Sequence, residues 1–176
     1  MRIAVYCSAK DAIPEEYLKL GDALGAWIGK NGHALVYGGA TGGLMSRVSN
    51  AAKAAGAHVI GVIPSRIKAA GRLAANCDYL IEVNNMSERK QRMRDEADVI
   101  VCLPGSYGTL DEMMDATSSA IVGEHKKQTL VLNYKGFYDA LKQQISHMQL
   151  LGFIPAQQSY EPIFVDTLEE LYLSIK

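Results

Sequence analysis

With 176 residues, 48% hydrophobic and 21% charged, the chain is long enough to bury one core and too apolar to be disordered. Its 18 basic and 19 acidic side chains leave a net charge of −1 and no charge block at either end, which argues against nucleic acid as a partner. Three cysteines, Cys7, Cys77 and Cys102, form no CxxC motif, and His33, His58, His125 and His147 are scattered, so neither a disulfide framework nor a metal or other cofactor is expected.

The opening "MRIAVYC" reads as a strand rather than a signal peptide, because its apolar run is short and no cleavage site follows. No stretch approaches the ~20 apolar residues of a membrane span, so a cytoplasmic protein without a membrane partner is expected. Residues 2–7 form the first expected strand. Residues 14–30 follow as a helix with Tyr17, Leu20, Leu24 and Trp27 or Ile28 at helical spacing, closed by Asn31-Gly32. Residues 33–39 give strand two, and a glycine turn leads to a helix around 43–55. Residues 58–64 give strand three, ended by Pro64. The segment 65–77 has weak periodicity and reads as a loop with a helical turn. Strand four covers 78–83, a charged helix 87–97, and strand five 98–104. A helix over 109–122, strand six at 128–134, a helix over 137–151, a short strand at 162–166 and a helix over 167–176 complete the order.

Near-continuously apolar strands alternating with helices indicate a parallel sheet covered on both faces. The expected fold is α/β, a Rossmann-like, doubly wound and mostly parallel sheet of about six to seven strands, in one domain over 1–176. In such folds ligands bind where strand C-termini meet helix N-termini.

Two glycine loops lie at such places. "YGGATGGLMS" (37–46) follows strand two, with four glycines in six positions. Glycine allows close backbone approach, and the next helix offers free N–H groups, so an anion cradle and a plain tight turn are both open. The pattern is neither GxGxxG nor a P-loop. "LPGSYGTLDE" (103–112) follows strand five. Thr109 and Glu112 fit a capping box, with Thr109 as N-cap; that explains neither Gly105 nor Gly108. The third group is "MSERKQRM" (86–93), with Ser87 as the expected N-cap. Arg89 and Lys90 then fall in the first turns, where the helix dipole disfavours cations, which points to an anionic partner or a solvated charged face.

These motifs, in this order, resemble the Lonely Guy (LOG) family, whose members are often mislabelled lysine decarboxylases. The family's PGGxGTxxE loop is matched by Pro104-Gly105-Ser106-Tyr107-Gly108-Thr109-Leu110-Asp111-Glu112, and its Arg-Lys pair by Arg89-Lys90. The similarity continues through "GEHKK" (123–127) and "LNYKGFYDAL" (132–141). It departs at Ala40, Ser46, Ser87, Ser106 and 118–121, and the family's Cys-Gly-Ser-Ser reads Cys7-Ser8-Ala9-Lys10.

The resemblance implies a homodimer that hydrolyses the N-glycosidic bond of AMP or N6-modified AMP to free base and ribose 5-phosphate. It implies Arg89 and Glu112 as the catalytic pair. Gly38, Gly39, Gly43, Met86, Lys90, Gly105, Gly108 and Thr109 are the implied substrate-binding positions. Glu112 near a helix start would be kept ionised by the dipole and would stabilise the oxocarbenium-like ribose. A non-catalytic nucleotide-binding module is the alternative. A pyridoxal enzyme is disfavoured by chain length and by the lack of a strand-end lysine, and a dehydrogenase by the missing GxGxxG after strand one.

Overall fold

The structure is a computed structural model, and it describes residues 1–175. Strands β1 (Arg2–Tyr6), β2 (Ala34–Tyr37), β3 (Val59–Pro64), β4 (Tyr79–Val83), β5 (Val99–Cys102), β6 (Thr129–Leu132) and β7 (Ile163–Val165) form one sheet. Its order is β4-β3-β2-β1-β5-β6-β7, and every ladder is parallel. The helices are α1 (Glu15–Lys30), α2 (Gly43–Ala54), α3 (Ser65–Ala69), α4 (Met86–Asp95), α5 (Tyr107–Ile121), α6 (Asp139–Leu150) and α7 (Leu168–Ser174). The expected α/β, doubly wound fold is therefore the observed one. Lys176, the last residue of the expected C-terminal helix, lies outside the described residues.

Strand alternation sorts the core into two layers. Ile3, Val5, Leu35 and Tyr37 face Leu24 and Ile28 of α1, Leu44 and Val48 of α2, and Leu171 of α7. Ala4, Tyr6, Val36 and Ile100 face Met93 of α4 and Met113 and Ala116 of α5.

The first layer is the tighter. Gly21, Gly25 and Gly29 recur at i+4 spacing along α1 and let α2 come close. A Cβ on Gly25 would stand 2.3 Å from the Val48 carbonyl oxygen, and one on Gly29 would stand 2.5 Å from Ala55 Cβ.

The ends of β2 and of the helix expected over 137–151 differ from expectation, each for a visible reason, while 65–77 is the loop with a helical turn that was expected. β2 ends at Tyr37 because Gly39 turns the chain at φ +66°. The 65–77 segment holds α3 and then returns to the glycine loop, where Leu73 bridges Ala40 and Ala74 N–H donates to the Gly39 carbonyl at 3.0 Å. The helix expected over 137–151 starts at Asp139. A 3-10 turn at Tyr134–Gly136 precedes it, with Lys135 at φ 53° and Gly136 at φ +71°, and the Asn133 side chain accepts from Tyr138 N–H at 2.7 Å.

The order of strands reverses at β1. β2 leaves on one side and β5 lies on the other, so the switch point is the gap between the C-termini of β1 and β5. The chain puts Cys7–Lys10 after one strand and Ser106–Glu112 after the other.

Gly25→Ala tests the close helix packing. Helix propensity alone would favour alanine by about 1 kcal/mol. The clash is with a backbone carbonyl that cannot swing away, and overpacking of this kind costs about 1–3 kcal/mol. A net loss of stability in urea denaturation is expected, and it should be larger for Gly25→Val.

Candidate active site

Helix α4 begins under the control of two asparagines. Asn85, not Ser87, is the N-cap, and its side-chain oxygen accepts from Glu88 N–H at 3.0 Å. The Glu88 carboxylate turns back to accept from Asn84 N–H at 2.9 Å. Starting the helix at Met86 places Arg89 fourth and turns it inward.

Only 4% of Arg89 is exposed. Its Nε donates to the Val62 carbonyl at 3.2 Å, and its Nη1 donates to Glu112 Oε1 at 2.7 Å. Gly38 makes room for the guanidinium, since a Cβ there would meet Nη2 at 1.8 Å. The cation that seemed misplaced at a helix start is thus buried in an ion pair.

Glu112 does not close a capping box. α5 starts at Tyr107 after Ser106, so Thr109 is the third helical residue and Glu112 the sixth. Ser106 makes no side-chain cap bond. Thr109 turns inward instead, 3% exposed, against Gly105, where a Cβ would lie 2.0 Å from its Oγ1. Gly105 is therefore needed for the strand-to-helix turn to close on Thr109.

Glu112 is 3% exposed and sits beyond the first turn, where the dipole acts most. Burial pushes its pKa above the ordinary carboxylate value, and the Arg89 charge pulls it partly back. The dipole is not what sets its ionisation. Its Oε2 accepts no hydrogen bond among the described residues.

Glu112 and Arg89 line a cleft of about 160 Å³ at the switch point. Gly108, Thr109 and Ser106 of the second glycine loop form one wall. Cys7, Ser8, Ala9 and Lys10 after β1 form another, with Met45 and Arg72 closing it. Among the expected site residues, the cleft gathers Arg89, Glu112, Gly108 and Thr109. Gly105 lines an adjoining apolar pocket with Ile13, Tyr17, Pro104 and Phe137. Lys90 turns to Asp111 at 2.8 Å and Asp115 at 3.5 Å, tying α4 to α5. Met86 is the exposed first residue of α4.

The first glycine loop serves the site from behind. Gly39 packs against Val62 and Ile63 of β3. Three amides at the start of α2 are already used: Gly42 N–H donates to Ser46 Oγ at 2.7 Å, Gly43 N–H to Asp11 Oδ1 at 2.8 Å, and Met45 N–H to the Ser8 carbonyl at 3.3 Å, which leaves Leu44 N–H without an acceptor among the described residues. By contrast, the N–H groups of Tyr107, Gly108 and Thr109 at the start of α5 have no acceptor among the described residues. An anion therefore meets open donors at α5 and an internal carboxylate at α2. Cys7 at the cleft is buried, which raises its thiol pKa and leaves it a small apolar wall rather than a nucleophile.

Ser8, Lys10, Met45 and Arg72 were not among the residues expected from sequence. The segment after β1 was findable, because it is a strand C-terminus at the sheet's ligand edge. Nothing local marks Arg72, which reaches the cleft through the Leu73–Ala40 bridge.

Comparison with known proteins agrees with this geometry. A family model described as "Possible lysine decarboxylase" matches residues 45–175. A cytokinin riboside 5'-monophosphate phosphoribohydrolase of Mycobacterium marinum is 37% identical over 96% of this chain and 89% of its own length. The chain belongs to the Lonely Guy family.

A second member, the phosphoribohydrolase LOG of Oryza sativa subsp. japonica, is 37% identical over 99% of this chain and 72% of its own length. Among solved structures, a molybdenum cofactor binding protein of Rippkaea orientalis superposes with a TM-score of 0.74 at 23% identity, covering 99% of this chain and 96% of that one. A molybdenum cofactor carrier protein of Chlamydomonas reinhardtii gives 0.73 at 20% identity, over 99% and 94%. At these identities the likeness concerns the fold alone.

Arg89→Met should leave Glu112 buried without its counter-ion. A loss of about 3–5 kcal/mol is expected at pH 7. The folded-state pKa of Glu112 rises further in this variant. The penalty is then absent below the unfolded carboxylate pKa and grows as pH rises through the folded value. Denaturation at pH 5 and pH 7 should show the smaller deficit at pH 5.

Proposed function

We propose that the chain is a phosphoribohydrolase that cleaves the N-glycosidic bond of purine nucleoside 5'-monophosphates, AMP or N6-modified AMP, to free base and ribose 5-phosphate. The reading takes residues 1–176 as one nucleotide-binding domain, in the cytoplasm, where the three free thiols would stay reduced. Its relatives from Mycobacterium marinum and Oryza sativa subsp. japonica carry that activity in their names. The observation that carries the proposal is the Glu112 oxygen left open on a cleft whose other wall is the unsatisfied start of α5.

The chemistry follows from those two features. The phosphate lies at the free amides of Tyr107, Gly108 and Thr109, remote from the bond that breaks, and its binding fixes the ribose. As the bond from ribose to base lengthens, positive charge builds on the sugar ring. Glu112 stabilises that charge and takes a proton from the attacking water. Arg89 keeps the carboxylate ionised and aimed, and holds one of its oxygens so that the other faces the substrate. The departing base takes its proton from solvent.

Two tests bear on Glu112. Glu112→Gln should bind AMP about as well as the parent and lose hydrolysis by about 10²–10⁴-fold, read as adenine release by chromatography. Near-unchanged turnover would sink the proposal. The rate should also fall with acid, since only ionised Glu112 works. Because its pKa is raised, that limb should lie above the ordinary carboxylate value of about 4.3.

The active form proposed is a homodimer. Tyr107, Leu110, Met114 and Ile121 recur at helical spacing along α5, with Tyr107 and Ile121 exposed and Leu110 and Met114 half-buried against the edge of the second core layer. Tyr107 is 90% exposed and Val122 beyond the helix 73%. An apolar stripe of this kind suits isologous pairing across a two-fold axis. Met114→Glu should convert a dimer to a monomer in light scattering, and a monomeric parent would overturn the pairing.

A further inference from the structure

Lys10 and Arg72 stand at the rim of the cleft, both exposed, and neither meets a carboxylate among the described residues. The only acidic side chain lining the cleft is Glu112, and Arg89 already balances it. The cleft therefore carries two uncompensated positive charges beside the open amides of α5.

Their placement is built in by the first glycine loop. Gly43 packs against Lys10, and a Cβ there would meet the Lys10 carbonyl oxygen at 2.4 Å and its nitrogen at 2.7 Å. A Cβ on Gly42 would stand 2.5 Å from the Ala9 oxygen and 3.7 Å from Arg72 Nη2. Lys10 N–H is held by Ser8 Oγ at 3.1 Å. On the other side the Arg72 carbonyl accepts from Thr41 N–H at 2.9 Å, while its Nη2 donates to the Thr41 carbonyl at 3.2 Å. With their own amides spent internally, Gly42 and Gly43 serve to let the two cation-bearing segments come together.

Lys10 also stands where the family motif has serine. A serine there offers a neutral hydroxyl, and a lysine offers a full charge on a four-carbon stem that can follow a moving phosphate.

We propose that Lys10 and Arg72 form a cationic clamp that closes on the substrate's phosphate from the side opposite α5, making the phosphate monoester a specificity determinant in this chain. This inference rests on the phosphoribohydrolase reading for its substrate, though not for its binding test. The clamp supplies charge-assisted contacts that a nucleoside cannot use. It makes ground-state and transition-state contacts alike, so it acts on KM more than on kcat.

The test compares the parent with Lys10→Met, Lys10→Arg and Arg72→Met. Calorimetric titration with ribose 5-phosphate reads the clamp without requiring turnover, and AMP hydrolysis reads it during catalysis. Lys10→Met should weaken ribose 5-phosphate binding and raise KM for AMP by about tenfold, with kcat changed far less. Lys10→Arg should restore most of the loss. Added salt should weaken binding to the parent more steeply than to either methionine variant. The melting temperature of Lys10→Met should match that of the parent, because Lys10 carries no ion pair among the described residues, while Arg72→Met also gives up the bond to the Thr41 carbonyl. Both methionine variants binding ribose 5-phosphate within about twofold of the parent would overturn the clamp. If the parent binds ribose 5-phosphate through these cations yet leaves AMP intact, the hydrolase reading fails and the clamp stands.

Discussion

A carboxylate cannot be buried alone, and Glu112 is almost wholly buried. Removing it from water is costly unless a cation meets it in good geometry. Arg89 meets that need, and the need of Arg89 propagates through the fold. Its Nε requires the Val62 carbonyl at the end of β3, and its Nη2 requires the missing side chain of Gly38 after β2. Its own position requires a helix that starts at Met86 under the Asn85 cap. One ion pair therefore ties together β2, β3, α4 and α5. Well-packed apolar residues would serve stability as well or better in such a place. That the pair is retained at a cleft, with one carboxylate oxygen open, fits a role in chemistry rather than in holding the fold.

The two glycine loops differ in the donors they leave open. Both precede helices, and on sequence both offer the same cradle. At α2 three donors are consumed by Asp11, Ser46 and the Ser8 carbonyl, and only Leu44 N–H is left without an acceptor among the described residues. At α5 the Ser106 hydroxyl makes no capping bond and Thr109 is turned inward, so the donors stay free. An unsatisfied helix start at a surface cleft is a standing preference for negative charge. A helix that had been capped by Thr109 and Glu112 would have lost it.

The alternation of apolar strands with helices made the parallel sheet legible, because period and run length respond to burial, and burial in this fold is uniform on both faces. The resemblance carried by Arg89-Lys90 and Pro104–Glu112 pointed to Arg89 and Glu112, which the structure joins in a buried ion pair at 2.7 Å. Finer geometry was hidden for physical reasons. A Thr-x-x-Glu pattern looks like a capping box wherever it occurs, and only the backbone at Ser106 shows that the helix starts two residues before Thr109. Ser87 has the chemistry of an N-cap, but Asn85 is preceded by an extended strand end and is better placed. The contribution of Arg72 depends on a single bridge between Leu73 and Ala40, joining segments about thirty residues apart that no periodicity connects.

The central place of β1 has a consequence for how the chain comes into being. This strand is made before both of its neighbours, and β2 soon follows. Its other edge stays open until β5 is synthesised, since Ile3 pairs with Val99 and Tyr6 with Cys102. Throughout that interval a nascent chain holds a strand that is apolar from Ile3 to Tyr6 with one unpaired edge, the kind of edge that recruits foreign strands. The walls of the cleft are split the same way, between Cys7–Lys10 and Ser106–Glu112. Docking of β5 thus ends the period of greatest aggregation risk and assembles the site in a single long-range event. Mutations that slow that docking would lower the yield of protein in the cell before they altered any property of the molecules that succeed in folding.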